Sequence, residues 1–269
     1  MRAPGGRLSN VLLGVYLALF FLFLFLPILM AVESSFNLDR FVGLPWKGFT
    51  LEWYRGILAA PEVLPSLRNS VVVGLCVATA SVVLGFLAAY SLTRITFPGK
   101  DAYVMAVISP LAAPWVLLGL GFVIYFNSIG IPRSLFAVGI SHTVFAAPLA
   151  MVMIRARLAS IPPSYQEAAR DLGASAARSI VEVVLPLAAP AVVAAFLVAF
   201  TLSFDEFILA WFVSGFETTL PVTIWTMIRT GLTPTVSAIG VLIFATSITL
   251  TILAELAMQR RAETGGGTT

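Results

Sequence analysis

Apolar residues in this chain gather into long blocks, and charge and proline collect in the stretches between them. Windows of about 19 residues pick out six apolar runs, at 11–32, 69–92, 102–126, 134–154, 187–213 and 235–257. Each approaches or exceeds the roughly 20 residues that carry a helix across about 30 Å of hydrocarbon. The pattern therefore predicts an all-α, polytopic membrane protein with six transmembrane helices. The first run is too long for the 7–15-residue apolar region of a secretory signal, and no A-x-A site follows it before Glu33. It is read as an uncleaved span.

Between the fourth and fifth runs the period changes. Residues 155–186 are amphipathic rather than apolar, and too polar to span. Pro162 and Pro163 should stop the preceding helix. Ser164 with Glu167 three residues on fits a capping box, and Ala168, Ala169 and Leu172 continue one helical face. Gly173 is a natural C-terminal stop. A second short helix is expected from Ser175, carrying Ile180, Val183 and Val184 on one side, until Pro186 opens the next span. From these residues alone, a docking element and an amphipathic helix lying on lipid are both open readings.

Composition agrees with the pattern: 59% of residues are apolar and 11% charged, against about 45–50% and about 25% in soluble domains. A soluble enzyme is excluded on that ground. The 16 Lys and Arg against 13 Asp and Glu leave a net charge of +3, with no basic cluster, so no nucleic-acid partner is expected. Orientation follows from the cations, because short loops rich in Lys and Arg stay in the cytoplasm. Placing both termini inside puts Arg2, Arg7, Arg94, Lys100, Arg155, Arg157, Arg170, Arg178, Arg260 and Arg261 there. Most of the remainder (Arg40, Lys47, Arg55, Arg68) falls in one long outer loop. The Gly265-Gly-Gly-Thr-Thr tail reads as disordered.

Proline occurs inside several runs (Pro27, Pro110, Pro114, Pro148, Pro190), which membrane helices tolerate when neighbours satisfy the freed carbonyls. Ala191, Ala195 and Ala199 make one face of the fifth run smooth enough for close helix approach. The acids Asp205 and Glu206 stand inside that run, and an intramembrane carboxylate usually faces protein or a watery path. Adjacent helical positions differ by about 100°. Thr201 shares a face with Asp205, so Asp205 is favoured for the polar, pathway side. The competing reading pairs one or both acids with a base such as Arg229, or with backbone at a helix break. No Lys or Arg lies within the six runs, an imbalance that favours a cationic cargo. Trp225 could hold an ammonium group by a cation–π contact or serve as an interfacial anchor, as Trp211 could.

Other chemistry lacks raw material. Cys76 is the only cysteine, and His142 the only histidine, read as a packing and hydrogen-bonding residue. No catalytic or metal site is expected. Of the two lysines, Lys47 and Lys100, neither ends a phosphate-binding loop, since Gly99-Lys100 is followed by Asp101. The chain should hold no cofactor of its own.

Glu167-Ala168-Ala169, Asp171, Gly173 and the closing Leu185-Pro186 resemble the EAA loop of ABC-importer permeases. Phe36-Asn37, Trp53-Tyr54, Asn69-Ser70, Ser141-His142, Thr201-Leu-Ser-Phe-Asp-Glu206, Leu220-Pro221, Trp225 to Met227 and Gly231-Leu-Thr-Pro234 extend the likeness. Together these stretches resemble the second permease subunit of spermidine/putrescine-type importers. The resemblance implies a type I ABC-importer permease fold in the bacterial inner membrane. Residues 1–65 would form an N-terminal span and outer loop, 66–257 the permease core with coupling loop 155–186, and 258–269 a cytoplasmic tail. It also implies that the loop docks on a separate ATPase dimer, which binds the ATP and Mg. A second permease subunit and an extracytoplasmic solute-binding protein would complete the importer. The cargo would be a polyamine or, as in relatives, an opine, an aminophosphonate or ferric ion. A proton-coupled secondary transporter using Asp205 or Glu206 is the reading from another class.

Overall fold

The computed structural model describes residues 7–43, 45–231 and 233–259. Arg2, Leu232, Arg260, Arg261 and the Gly265-Gly-Gly-Thr-Thr tail, on which part of the sequence reading rests, lie outside them. The elements are α1 (Arg7–Phe36), α2 (Glu52–Ala59), α3 (Val63–Arg94), α4 (Lys100–Ile108), a 3-10 turn (Ser109–Ala112) and α5 (Trp115–Ser128). They continue with α6 (Leu135–Ala159), α7 (Ser164–Asp171), α8 (Ala176–Ser179), a π turn (Ile180–Val184) and α9 (Leu185–Asp205). The last three are α10 (Ile208–Val213), α11 (Leu220–Thr230) and α12 (Pro234–Gln259). Among the described residues five stretches are long and apolar enough to cross a membrane: Ser9–Phe36, Val63–Arg94, Leu135–Ala159, Ala176–Asp205 and Pro234–Leu253.

The third run is not the straight helix expected over 102–126. It is a bent pair, Lys100–Ala112 and Trp115–Ser128, turned by 104°. Ala113 is extended (φ −80°, ψ 139°), the conformation that a following proline enforces on its neighbour, and Pro114 caps α5. The fifth run, 187–213, is also broken: α9 ends at Asp205, and Glu206 is extended (φ −71°, ψ 124°) before α10 begins.

Two further expectations are corrected at the amphipathic loop. Ser164 does not cap α7, because Pro163 is itself helical (φ −57°, ψ −29°) and occupies the cap position. The first-turn donors of Gln166 and Glu167 reach the Pro163 carbonyl at 2.9 and 3.1 Å instead. Nor does Pro186 open a separate helix. It has no N–H to give and its ring crowds the carbonyl four residues back. The π turn immediately before it widens the coil there, and the chain runs on from Ala176 to Asp205.

Contacts divide the chain into two compact units: the described residues of Met1–Pro61 with Thr226–Phe244, and those of Glu62–Trp225 with Ala245–Thr269. In the first unit a polar knot closes the end of α1. The Asn37 side chain donates to Glu33 Oε1 at 2.8 Å, and Trp53 Nε1 donates to the Asn37 carbonyl at 2.7 Å. Tyr54 and Ser35 share a hydroxyl contact of 2.9 Å. In the exposed loop beyond, the Lys47 ammonium bonded to Asp39 holds that carboxyl below its usual range.

In the second unit α3, α6 and α9 pack on one another through small residues: Ala78, Ala89, Ala146, Ala150, Ala195 and Ala199 are all buried. Lipid gives no hydrophobic drive between helices, so close packing of small residues has to supply the contact. At Gly85 a Cβ would stand 2.8 Å from the Met151 amide nitrogen and 2.9 Å from Ala150 Cβ. The core has two layers. One gathers Val77, Phe126, Phe145 and Leu209; the other gathers Leu92, Met151, Ile154, Leu158, Ile161 and Val184 and borders the loop that carries α7.

Candidate functional site

The amphipathic loop is a corner pinned at both ends by hydrogen bonds. Arg94 at the end of α3 donates to the Ile161 carbonyl at 2.8 Å, and Arg157 Nε of α6 donates to the Leu187 carbonyl at 3.1 Å. These fix where the chain leaves α6. At the other end Gly173 takes a left-handed φ of +91°, which a side chain would strain. Its N–H reaches the Arg170 carbonyl at 2.9 Å and that of Ala174 reaches Ala169 at 3.0 Å, the paired bonds of a Schellman stop. Ser175 then caps α8, its hydroxyl accepting from the Arg178 amide at 3.2 Å.

α7 thereby stands out with one face buried and the other free. Gln166 points inward and is buried. Glu167, Ala168, Arg170 and Asp171 are exposed, Ala169 is half-buried, and Leu172 is 90% exposed. Leu185 is half-buried and Pro186 exposed, on the continuous helix behind. The outer face thus sets a bare leucine and an alanine among acids and an arginine. It offers no nucleophile or metal set. What it can do is dock.

The two acids part company. Asp205 is exposed at the last turn of α9, where the Ser247 hydroxyl of α12 bonds its Oδ2 at 2.5 Å. Thr201, half-buried one turn earlier, spends its hydroxyl on the Leu197 carbonyl at 2.9 Å. Glu206 is buried, and its two oxygens accept the amides of Leu209 at 2.9 Å and Ala210 at 3.0 Å. It is the side chain that caps α10. His142 Nε2 lies 3.1 Å from Glu206 Oε2 but off the line of a hydrogen bond, and its Nδ1 meets Ser203 Oγ at 2.9 Å.

Ser203, His142 and Glu206 have the identities of a hydrolytic triad without its form. The serine sits on Nδ1 where the acid belongs, the carboxyl is spent on backbone, and all three side chains are buried. Trp225 and Trp211 are 41% and 47% exposed, with Phe207 between them at centroid distances of 5.4 and 6.5 Å. Among the described residues no group of three or more His, Cys, Asp or Glu is placed to hold a metal. Sequence reasoning missed Gln166, Tyr90, Ser203 and Ser247. Only the polar residues inside apolar runs, Ser203 and Ser247, left a signal that could have marked them.

The model of the family described as binding-protein-dependent transport system inner membrane components matches residues 81–263. The spermidine/putrescine transport system permease protein PotC of Haemophilus influenzae is 32% identical over 244 residues, covering 90% of this chain and 95% of the relative. The putrescine transport system permease protein PotI of Escherichia coli K12 is 35% identical over 237 residues, covering 85% and 84%. A chain in the crystal structure of a bacterial ABC transporter that imports the acidic polysaccharide alginate superposes with a TM-score of 0.71 at 18% identity. It covers 97% of this chain and 98% of that one.

Proposed function

This chain belongs to the family of binding-protein-dependent transport inner membrane components, and we propose that within it the chain is the half-pathway of a polyamine importer driven by a separate ATPase dimer. It is a permease subunit of an ABC importer and not an enzyme. The observation that carries the mechanical part is α7: buried at Gln166, half-buried at Ala169, and bare at Glu167, Ala168, Arg170, Asp171 and Leu172. A short helix of about two turns held at the edge of the helix core, with its apolar tip exposed, has the form of a docking element. Glu167 and Asp171 orient the contact, Ala168 and Ala169 allow close approach, and Gly173 sets the corner.

Both termini and α7 then lie in the cytoplasm. ATP-driven closure of the ATPase pair pushes α7, and the helices open outward to take cargo from an extracytoplasmic binding protein. Hydrolysis returns them inward. A second permease supplies the other half of the cavity.

The polyamine assignment leans on the two relatives and on charge. Asp205 is exposed at the end of α9, and the apolar runs carry no Lys or Arg. An exposed carboxylate attracts an ammonium and repels an anion. The test is uptake of labelled spermidine and putrescine by the complete importer in liposomes. Uptake should require ATP and the ATPase and persist when the proton gradient is collapsed. Asp205→Asn should weaken apparent polyamine affinity about tenfold, the effect of about 1.4 kcal/mol. Uptake driven by the gradient without ATP would overturn the mechanism, and an unchanged Asp205→Asn would remove that residue from the pathway.

A further inference from the structure

Among the described residues, every side-chain hydrogen bond that leaves α7 starts from one residue. Gln166 Nε2 donates to the Tyr90 hydroxyl of α3 at 2.7 Å and to the Ser179 hydroxyl of α8 at 3.2 Å. The two partners lie 76 and 13 positions away in sequence. Arg94 and Arg157 hold the chain on either side of the α6 terminus, but their hydrogen bonds go to residues outside α7.

The chemistry of the joint is specific. Ser179 already donates its proton to the Ala176 carbonyl at 2.8 Å, so towards Gln166 it can only accept. Tyr90 is set by stacking on Phe86, with centroids 6.3 Å apart and planes 20° off parallel. The position therefore calls for two donors from one uncharged atom. A primary amide supplies that, a carboxylate has none, and an ammonium would bring charge into a buried place. Asparagine is one methylene shorter. A peptide corner built on Pro162-Pro163 and Gly173 would by itself let α7 rock about its ends, and the amide removes that freedom.

We infer that Gln166 is a positioning residue: it ties α7 to the end of α3 and to α8, the first turn of the continuous helix Ala176–Asp205, so that a push on the outer face of α7 moves both long helices together. This rests on the reading of α7 as the ATPase-docking element. Loss of the tie leaves α7 docked and the ATPase turning while the stroke is absorbed by the loosened corner. A residue that served stability alone would lower transport and hydrolysis in proportion. A tie raises the ATP spent per solute.

The experiment uses the whole importer in liposomes and measures ATP hydrolysed per polyamine delivered. Gln166→Met keeps the shape and removes both donors. Tyr90→Phe deletes one hydroxyl and guards against a misfolded first variant. Gln166→Met is expected to raise the ratio about tenfold, the scale of losing two buried hydrogen bonds, and Tyr90→Phe by about threefold. The double variant should be no worse than Gln166→Met, because both changes cut the same tie. In parallel, Leu172→Cys in a Cys76→Ser background is tested for cross-linking to the ATPase. A ratio within twofold of the parent in both variants, with the cross-link present, overturns the tie and leaves docking intact. Absence of the cross-link in the assembled importer overturns the docking reading and the tie with it.

Discussion

Replacing Glu206 by alanine isolates what holds the helix break after α9. The carboxyl accepts two amides, Leu209 at 2.9 Å and Ala210 at 3.0 Å, and both of those residues are fully buried. Cutting the side chain back removes the acceptor of both. An unsatisfied buried donor costs about 1–3 kcal/mol, so the pair should cost about 2–6 kcal/mol. Glutamine keeps one accepting oxygen but turns an NH2 towards the other amide, and should lose about half as much. For a chain of this size each kcal/mol moves the melting midpoint by about 2–4 °C. Glu206→Ala is therefore expected to melt roughly 5–20 °C below the parent in detergent, followed by tryptophan fluorescence. Asp205→Asn, one residue away on the exposed side, should shift stability by less than about 1 kcal/mol. An alanine variant melting within about 2 °C of the parent would refute the capping role. So would an Asp205 variant that falls as far as the Glu206 variant.

Gly173→Val should abolish ATP-coupled uptake while the protein still inserts. A Cβ there meets no atom, so the penalty is the left-handed backbone alone, about 1–2 kcal/mol, concentrated on the corner that aims α7; intact uptake with normal expression would sink it. Lys47→Met should let the lowered Asp39 carboxyl rise, read by carbon-13 NMR titration of labelled aspartate. Since Lys47 lowers that carboxyl in the folded protein, the pair's contribution is present above the unfolded value. It fades as pH falls through the folded one, so the parent should show more acid-side loss of loop order than the variant.

The parts legible in the sequence were those written in local period and charge. Apolar length gave the spans, and the change to an amphipathic period isolated 155–186. Gly173 marked a helix end because only glycine enters that φ without strain. Breaks inside apolar runs were opaque for a physical reason: membrane helices tolerate proline, so Pro110, Pro114, Pro148 and Pro190 look alike. Yet Pro148 and Pro190 lie within continuous helices, and Pro110 and Pro114 flank a 104° turn. The helical wheel separated Asp205 from Glu206, but a wheel assumes an unbroken helix and could not foresee that Glu206 ends one and caps the next. Gln166 was invisible because its partner Tyr90 lies 76 positions away.

Several of the short stretches that carry the family resemblance turn out to be joints. Asn37 is fastened to Trp53, Asn69 Nδ2 reaches the Thr218 carbonyl at 3.0 Å, Ser70 accepts the Leu220 amide at 2.8 Å, and His142 sits between Ser203 and Glu206. Such contacts pair polar groups where the backbone is irregular, and a buried polar group left unpaired is costly, so they bear on the shape of the permease more than on its cargo. The fold itself is shared with a chain from an alginate importer, whose cargo is acidic. A scaffold common to that transporter and to relatives named for polycations cannot set the sign of the charge it passes. On the proposed reading that choice lies in exposed side chains on the scaffold, among them Asp205, turned out from α9, whereas Glu206, turned in, is spent on the backbone of α10.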